Sequence, residues 1–132
     1  MTTALTIGSF DPVHVDHVLL FRRCEALADK VVVGVNSDDF YFKYRGELPM
    51  FDQATRVRMV AALGYETWVN HSAGRQLIER IGPNFLVVGS DWLGRDYLSQ
   101  VDLDEKFLQT HDLTVVFTPR GTHVSGRDIR GR

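Results

Sequence analysis

Short apolar runs that alternate with helix-like segments set the main limit on how this 132-residue chain can fold. The runs are rich in β-branched and aromatic residues, which is typical of buried strands. They are Ala4 to Gly8, Val31 to Val35, Thr67 to Val69, Phe85 to Gly89 and Leu113 to Phe117. Strands that alternate with helices favour a parallel sheet covered by helices on both faces.

The predicted helices complete this pattern. They are His14 to Ala28, Asp52 to Leu63, Ala73 to Ile81, Asp104 to His111 and a short terminal helix, Ser125 to Arg132. With right-handed crossovers, the chain is predicted to form one Rossmann-like, doubly wound α/β domain over residues 1–132, with a five-stranded parallel sheet. In such a sheet the ligand site lies beyond the carboxyl ends of the strands. The irregular stretch Tyr41 to Phe51, which contains Gly46 and Pro49, is predicted to be a loop at that edge.

Composition excludes several classes of protein. The 44% hydrophobic content suits one core, and 15 basic against 17 acidic residues form no basic stripe for nucleic acid or an anionic membrane. No apolar run approaches the ~20 residues of a membrane span, and the N-terminus has no basic start before a long apolar stretch. We therefore expect a cytoplasmic protein. The single cysteine, Cys24, falls on a predicted helix and is expected to be a buried, inert thiol.

The first run leads directly into the segment GSFDPVHVDH, Gly8 to His17. Gly8 lets backbone approach a ligand, and His14 and His17 are spaced i, i+3 at the start of a helix, so both imidazoles can face one point. There they could donate to a polyphosphate, since a helix N-terminus also attracts anions. The spacing alone equally allows a metal-binding pair or two surface histidines.

Three motifs give the chain a resemblance to a known family. They are GSFDPVHVDH, then VGSDW with Gly94 and Arg95, and PRGTHVSGRDIR at the end of the chain. In this order they resemble the HxGH motif and the later signatures of the cytidylyltransferase-like nucleotidyltransferases. Within that family, the chain looks most like the glycerol-3-phosphate cytidylyltransferases.

The resemblance implies that CMP passes from CTP to a phosphorylated small alcohol, with glycerol 3-phosphate as the leading acceptor, and that pyrophosphate is released. It also implies a homodimer, and Mg²⁺ that arrives with the triphosphate, so no protein metal site is expected. Catalytic roles are implied for His14, His17, Lys43, Arg120 and Ser125. Nucleotide binding is implied for Gly8, Ser9, Phe10, Asp11, Arg56, Gly89, Asp91, Trp92 and Arg127, and acceptor binding for Arg45 and Arg75.

Several of these residues have a second interpretation. Asp11 suits a turn or N-cap carboxylate as well as a ligand, and Lys43 suits a solvated loop cation. Arg75 suits an exposed helix cation, and Trp92 suits a core position. Arg58, two residues after Arg56, is expected at the surface.

The chain also departs from the family pattern. Asp16 stands where HxGH has glycine, so its carboxylate either crowds the nucleotide, selects a different one, or is accommodated as a first-turn acid. Ser125 to Arg127 reads Ser-Gly-Arg in place of Ser-Thr-Thr. The segment VGVNSDD, Val33 to Asp39, resembles heptose-phosphate adenylyltransferases. The alternatives are therefore an adenylyltransferase that acts on a sugar phosphate such as heptose 1-phosphate, or a catalytically weak nucleotide-binding relative.

Overall fold

The computed structural model describes residues 1–89 and 96–119. Its strands are β1 (Thr3–Gly8), β2 (Lys30–Asn36), β3 (Glu66–Asn70), β4 (Phe85–Gly89) and β5 (Thr114–Thr118). Its helices are α1 (Val15–Leu27), α2 (Asp38–Arg45), α3 (Gln53–Ala62), α4 (Arg75–Ile81), α5 (Tyr97–Gln100) and α6 (Glu105–His111). Every apolar run named above lies on a strand, because each must bury both faces of its pleat.

All described strands are parallel and form one five-stranded sheet in the order β3-β2-β1-β4-β5. The predicted doubly wound α/β fold is confirmed. Chain order runs outward from β1 to β3 on one side and from β4 to β5 on the other, so the winding direction reverses between β1 and β4. A crevice opens at such a switch point beyond the carboxyl ends of the strands. Gly8 is the last residue of β1 and lies at its rim.

Both faces of the sheet are covered, as the pattern predicts. Leu5 and Val32 point to one side, where they pack with residues from α4, α5 and α6. Their neighbours Val33 and Val35 point to the other side, which α1 and α3 cover. This alternation follows from the two-residue period of a strand. Because helices cover both faces of the sheet, a ligand can reach it at the ends of the strands.

Cys24 lies on the inner face of α1, where it packs with Ala4 and Val87 and is fully buried. Burial raises the pKa of its thiol to about 12, since the thiolate would lose its hydration there. The thiol is therefore protonated at neutral pH and unsuited to nucleophilic chemistry. The prediction of a buried, inert cysteine is confirmed.

The prediction of a loop over Tyr41 to Phe51 is wrong for its first half, since α2 continues to Arg45. Its ends explain the helix. The hydroxyl of Ser37 accepts from the amide of Phe40 at 3.1 Å, and Gly46 closes the last turn in a left-handed conformation at φ 77°. Acidic residues in the first turn and basic residues in the last turn also stabilise the helix, because their charges complement its dipole. From Gly46 to Phe51 the chain is irregular, as expected.

The sequence pattern does not predict the short helix α5. Its cap is Asp96, whose carboxylate accepts from the amide of Ser99. The predicted terminal helix, Ser125 to Arg132, lies outside the described residues. Over residues 1–89 and 96–119, no helix combines the length and apolar character needed to cross a bilayer.

Candidate active site

The two motif histidines cap the start of α1, because the Nδ1 atom of each accepts from a backbone amide there. His14 is the N-cap residue, and its Nδ1 accepts from the amide of Asp16 at 3.2 Å. The Nδ1 of His17 accepts from the amide of His14 at 3.1 Å, which closes a reciprocal capping box. The rings stack with their centroids 3.8 Å apart. The spacing that predicts a common direction for the two imidazoles is therefore realised.

This cap determines which nitrogen of each ring can donate. A ring nitrogen that accepts a hydrogen bond carries no proton, so the proton of each neutral imidazole lies on Nε2. Nε2 is therefore the nitrogen through which each ring donates. Imidazole N–H groups beside a helix N-terminus are suited to phosphate oxygens.

Asp16 lies half-buried in the first turn of α1, where the helix dipole favours a carboxylate. Its backbone amide is the donor to His14, so this position contributes to the cap through its main chain. Of the interpretations open for this acid, its position agrees with accommodation in the first turn.

Phe10 explains the glycine at the end of β1. It adopts a left-handed backbone conformation at φ 51°, which turns its buried ring back under Gly8. A Cβ on Gly8 would lie 2.9 Å from the Cζ atom of Phe10. The same ring meets His17 edge to face with centroids 4.8 Å apart. Phe10 therefore acts as a spacer between strand and histidine.

Gly8→Ala is expected to lower kcat roughly 10- to 100-fold, because the methyl group must push the Phe10 ring toward His17 and misplace it. Unfolding should become easier by about 1–3 kcal/mol through overpacking. Steady-state kinetics and thermal unfolding measure the two effects. Gly34→Ala on β2 is the matched control, since its methyl meets Leu77 and Ile7 on the other face of the sheet and does not touch Phe10. Equal losses of kcat in both variants would contradict a specific effect on the histidine.

Arg56 is placed beneath the site and is completely buried. Its guanidinium donates to the carbonyl oxygens of Phe51 at 2.8 Å, Ser9 at 2.8 Å and Asn36 at 2.7 Å. It also forms an ion pair with Asp38 at 2.8 Å. The expectation that Arg56 faces the nucleotide is therefore corrected. Its donors are directed to the protein, where they join the ends of β1 and β2 to the start of α2.

Asp11 is also buried, and it holds the segment that follows α2. Its carboxylate accepts from the amides of Met50 at 2.9 Å and Phe51 at 2.8 Å, and from the Tyr41 hydroxyl at 3.2 Å. The suggested role of Asp11 as an N-cap is wrong, because His14 caps α1. The carboxylate instead connects the turn before α1 to residues 50–51.

A cleft of about 160 Å³ opens at the carboxyl ends of β1 and β2. It combines aromatic rings with a few polar groups, the usual make-up of a small-molecule site. Tyr97 is mostly buried there, and burial raises the pKa of its phenol, which stays protonated at neutral pH. The lining residues are Ile7, Gly8, Ser9, Asn36, Phe40, Tyr44, Arg45, Ala73, Tyr97, Gln100 and Val101.

The cations predicted for the site divide into two groups. Arg45 lines the cleft, with its guanidinium 5.2 Å from the centre of the Tyr41 ring. Lys43 is exposed on α2 and is not one of the residues that line this cleft. Arg75 bonds to Glu79 at 3.0 Å and to the carbonyl of Asp102 at 3.3 Å, away from the cleft. Arg75 does not line this cleft, and its contact with the acceptor phosphate stays a prediction, whereas Arg58 is exposed, as expected.

The second and third motifs can be located only by the strands that precede them. Gly89 is the last residue of β4, and β5 ends at Thr118, on the same edge of the sheet as Gly8. The predicted residues Asp91, Trp92, Arg120, Ser125 and Arg127 lie outside the described residues.

Sequence reasoning did not select Asn36, Phe40, Tyr44, Tyr97 or Gln100, all of which line the cleft. A signal was available for the first of them. Asn36 directly ends a predicted strand, and polar residues at strand ends gather at the site of a doubly wound sheet. Tyr44 falls in the segment Tyr41 to Phe51, which the sequence predicts to be a loop, so no helix pattern indicates which way its ring points.

The fold and the start of α1 define a doubly wound nucleotide-binding type of domain with a histidine pair at its switch point. A family model described as cytidylyltransferase-like matches residues 5–132. The chain belongs to the cytidylyltransferase-like family.

Curated relatives include several proteins named bifunctional protein HldE. The one from Nitrobacter hamburgensis is 38% identical over 91 residues, and the one from Campylobacter concisus is 35% identical over 95 residues. These alignments cover 66% and 69% of this chain, but 19% and 20% of the relatives. The chain therefore spans about a fifth of the length of these proteins.

Solved structures with the same fold include a lipopolysaccharide core biosynthesis protein from Thermoplasma volcanium, with a TM-score of 0.69 and 21% identity. That match covers 94% of this chain and 99% of the other. Pantoate-beta-alanine ligase from Francisella tularensis gives a TM-score of 0.70 at 14% identity, and covers 98% and 65% of the two chains. At these identities the likeness supports the fold.

Proposed function

We propose that this chain is a nucleotidyltransferase that transfers an adenylyl group from ATP to a sugar phosphate, with a heptose phosphate as the leading acceptor. The observation that carries the proposal is the cap formed by His14 and His17, whose Nδ1 atoms accept from backbone amides, so that each ring carries its proton on Nε2 at the start of α1. These donors lie a few residues after Gly8, the end of β1, and Ser9, both of which line the cleft. A triphosphate with its base in the cleft would extend toward them.

The proposed reaction needs positioned donors and no covalent enzyme intermediate. An oxygen of the acceptor phosphate attacks the α-phosphorus of the nucleotide, and the bond from that phosphorus to its β-bridging oxygen breaks. Pyrophosphate leaves with that oxygen. The two Nε2–H groups offset the negative charge that builds on the phosphate oxygens during transfer. The magnesium complex of the nucleotide is the substrate form, because Mg²⁺ usually binds through substrate phosphates and water.

The choice of adenylyl transfer rests on the second strand and on the relatives. The VGVNSDD segment runs from β2 into α2, and its Asn36 lines the cleft. The curated relatives carry the name HldE, which agrees with the resemblance of that segment to heptose-phosphate adenylyltransferases. The expectation of CTP rests on Asp91 and Trp92, which lie outside the described residues, and that of glycerol 3-phosphate rests on the family resemblance alone. We therefore favour ATP and a sugar phosphate.

A pyrophosphate-release assay tests the proposal. The chain is incubated with Mg²⁺ and each of ATP, CTP, GTP and UTP, together with either heptose 1-phosphate or glycerol 3-phosphate. We expect release only with ATP and heptose 1-phosphate, and mass spectrometry should find an equal amount of the adenylylated sugar. A variant with both His14→Ala and His17→Ala is the control for contaminating activity.

The other outcomes are equally clear. Turnover with CTP and glycerol 3-phosphate alone would replace this proposal with cytidylyl transfer. Tight nucleotide binding without turnover for any pair would indicate a binding relative that lacks catalysis.

A further inference from the structure

The carboxyl ends of β1, β2 and β3 carry a chain of hydrogen-bonded polar side chains. Asn70, at the end of β3 and 1% exposed, donates from Nδ2 to the carbonyl of Ser72 at 2.6 Å and to Oδ1 of Asn36 at 2.9 Å. Asn36 in turn donates from Nδ2 to the hydroxyl oxygen of Ser9 at 3.1 Å. Ser9 and Asn36 both line the cleft, whereas Asn70 lies behind them.

The backbone carbonyl of Ser72 fixes the direction of every hydrogen bond in this series of side chains. A carbonyl oxygen only accepts, so the amide of Asn70 must turn its NH₂ group toward Ser72. The second hydrogen of that NH₂ then meets Asn36, which must present its oxygen. Asn36 therefore presents its own NH₂ to Ser9, whose oxygen accepts. The hydroxyl hydrogen of Ser9 is left to point away from Asn36.

The Ser9 hydroxyl therefore acts as a donor toward the cleft. It suits an oxygen acceptor, such as a phosphate or sugar oxygen. The opposite polarity, with Asn36 presenting its oxygen to Ser9, would consume the hydroxyl hydrogen within the protein. The buried Asn70 decides between the two arrangements, although it does not line the cleft.

We infer that Asn70 is a positioning residue that sets the polarity of the Asn70–Asn36–Ser9 relay, so that Ser9 donates to an oxygen of the bound ligand. The inference extends the proposed function by naming the donor group that the cleft offers. The oxygen belongs to either the nucleotide or the phosphorylated sugar, and binding measurements with each compound distinguish these sources.

Asn70→Asp is the direct test, because it keeps the shape and replaces the NH₂ group. Neither a carboxylate nor a carboxylic acid can donate to both Ser72 and Asn36, so Asn36 turns over and takes the hydrogen of Ser9. We expect the Kd for ATP or for heptose 1-phosphate, measured by calorimetry with each compound alone, to rise about tenfold. Ser9→Ala should raise the same Kd about tenfold.

The double variant separates the relay from a general effect of charge or stability. If Asn70 acts through Ser9, adding Asn70→Asp to Ser9→Ala should leave the total rise near tenfold, since coupled sites are not additive. A rise of about a hundredfold would mean independent effects and would overturn the inference. An unchanged Kd for both compounds in Asn70→Asp, or a wild-type chain that binds neither, would overturn it too.

Asn36→Asp covers the case in which Asn70→Asp does not fold. Its carboxylate accepts the Ser9 hydrogen directly, and the same loss that depends on Ser9 is expected, with circular dichroism as the check on folding. An Asn36→Asp loss that adds to Ser9→Ala would overturn the inference. Because binding is measured without turnover, failure of the proposed reaction appears separately, as binding without pyrophosphate release.

Discussion

Arg56→Met should lower the free energy of unfolding by about 3–5 kcal/mol, because the fully buried guanidinium donates to three backbone carbonyls and pairs with the partly exposed Asp38. The substitution keeps an unbranched side chain of similar length but deletes four hydrogen bonds. Three of them end on backbone carbonyls, which lose this donor. An unsatisfied buried acceptor costs about 1–3 kcal/mol. Urea denaturation measures the change.

Arg58→Met is the matched control, because it makes the same substitution two residues along α3 at an exposed position. Its effect should stay within about 0.5 kcal/mol. Arg56→Lys should be intermediate, since a single ammonium group cannot reach carbonyls of three different segments in the geometry of a planar fork. Equal stability of the two methionine variants would falsify the structural role given to Arg56.

Arg56 also shows where sequence reasoning about the site fails. The sequence pattern predicts the helix, and the family resemblance assigns its arginine to the nucleotide. Its real partners lie far along the chain: Ser9 is 47 residues away and Asn36 is 20 residues away. Only closure of the fold brings these carbonyls together, so no local pattern could identify the arginine as buried.

Arg75 shows a related limit. The resemblance implies that it binds the acceptor, and a helix start suits an anion, but α4 begins without a side-chain cap and Arg75 contacts Glu79 and the Phe107 ring. An i, i+4 partner and an aromatic face compete for a guanidinium as well as a phosphate does. The choice depends on where α6 packs, which the sequence of α4 does not contain.

The sheet was predictable because its signal is local and repeated. The three central strands, β1, β2 and β4, are apolar runs with buried residues on both faces. Helix α2 was not predictable from apolar periodicity, since Tyr41 is its one buried residue. Its signals were the Ser37 cap and Gly46 at the end, which indicate a helix even without an apolar stripe.

The histidine pair was predicted from spacing, but its second task was not. Each imidazole supports the start of α1 through Nδ1, while the proposed chemistry uses Nε2. Alanine at either position should therefore lower kcat by about 10²–10³ and also cost about 0.5–2 kcal/mol of stability from the lost cap. A loss of activity in an alanine variant thus mixes two effects, and a sharper pair of substitutions is needed.

Asparagine and glutamine separate the two nitrogens of the ring. In His14→Asn the amide oxygen can take the place of Nδ1 and keep the cap, because asparagine is a favoured N-cap residue, but nothing replaces the Nε2 donor. We expect wild-type thermal stability and a loss of kcat of about 10²–10³. In His14→Gln the side-chain amide can reach the Nε2 position while the Nδ1 acceptor is lost. The glutamine variant should lose about 1 kcal/mol of stability but keep more activity than the asparagine variant.

The same pair at His17 tests whether both rings act alike. His17→Asn should keep the bond from the His14 amide and lose activity, whereas His17→Gln should weaken the cap and retain part of the rate. Pyrophosphate release and thermal unfolding, measured on all four variants, give the comparison. Full activity in the asparagine variants would remove the Nε2 donors from the mechanism. An order of activity that follows stability instead would show that the histidines serve only the helix, because a donor role requires the two properties to change in opposite directions.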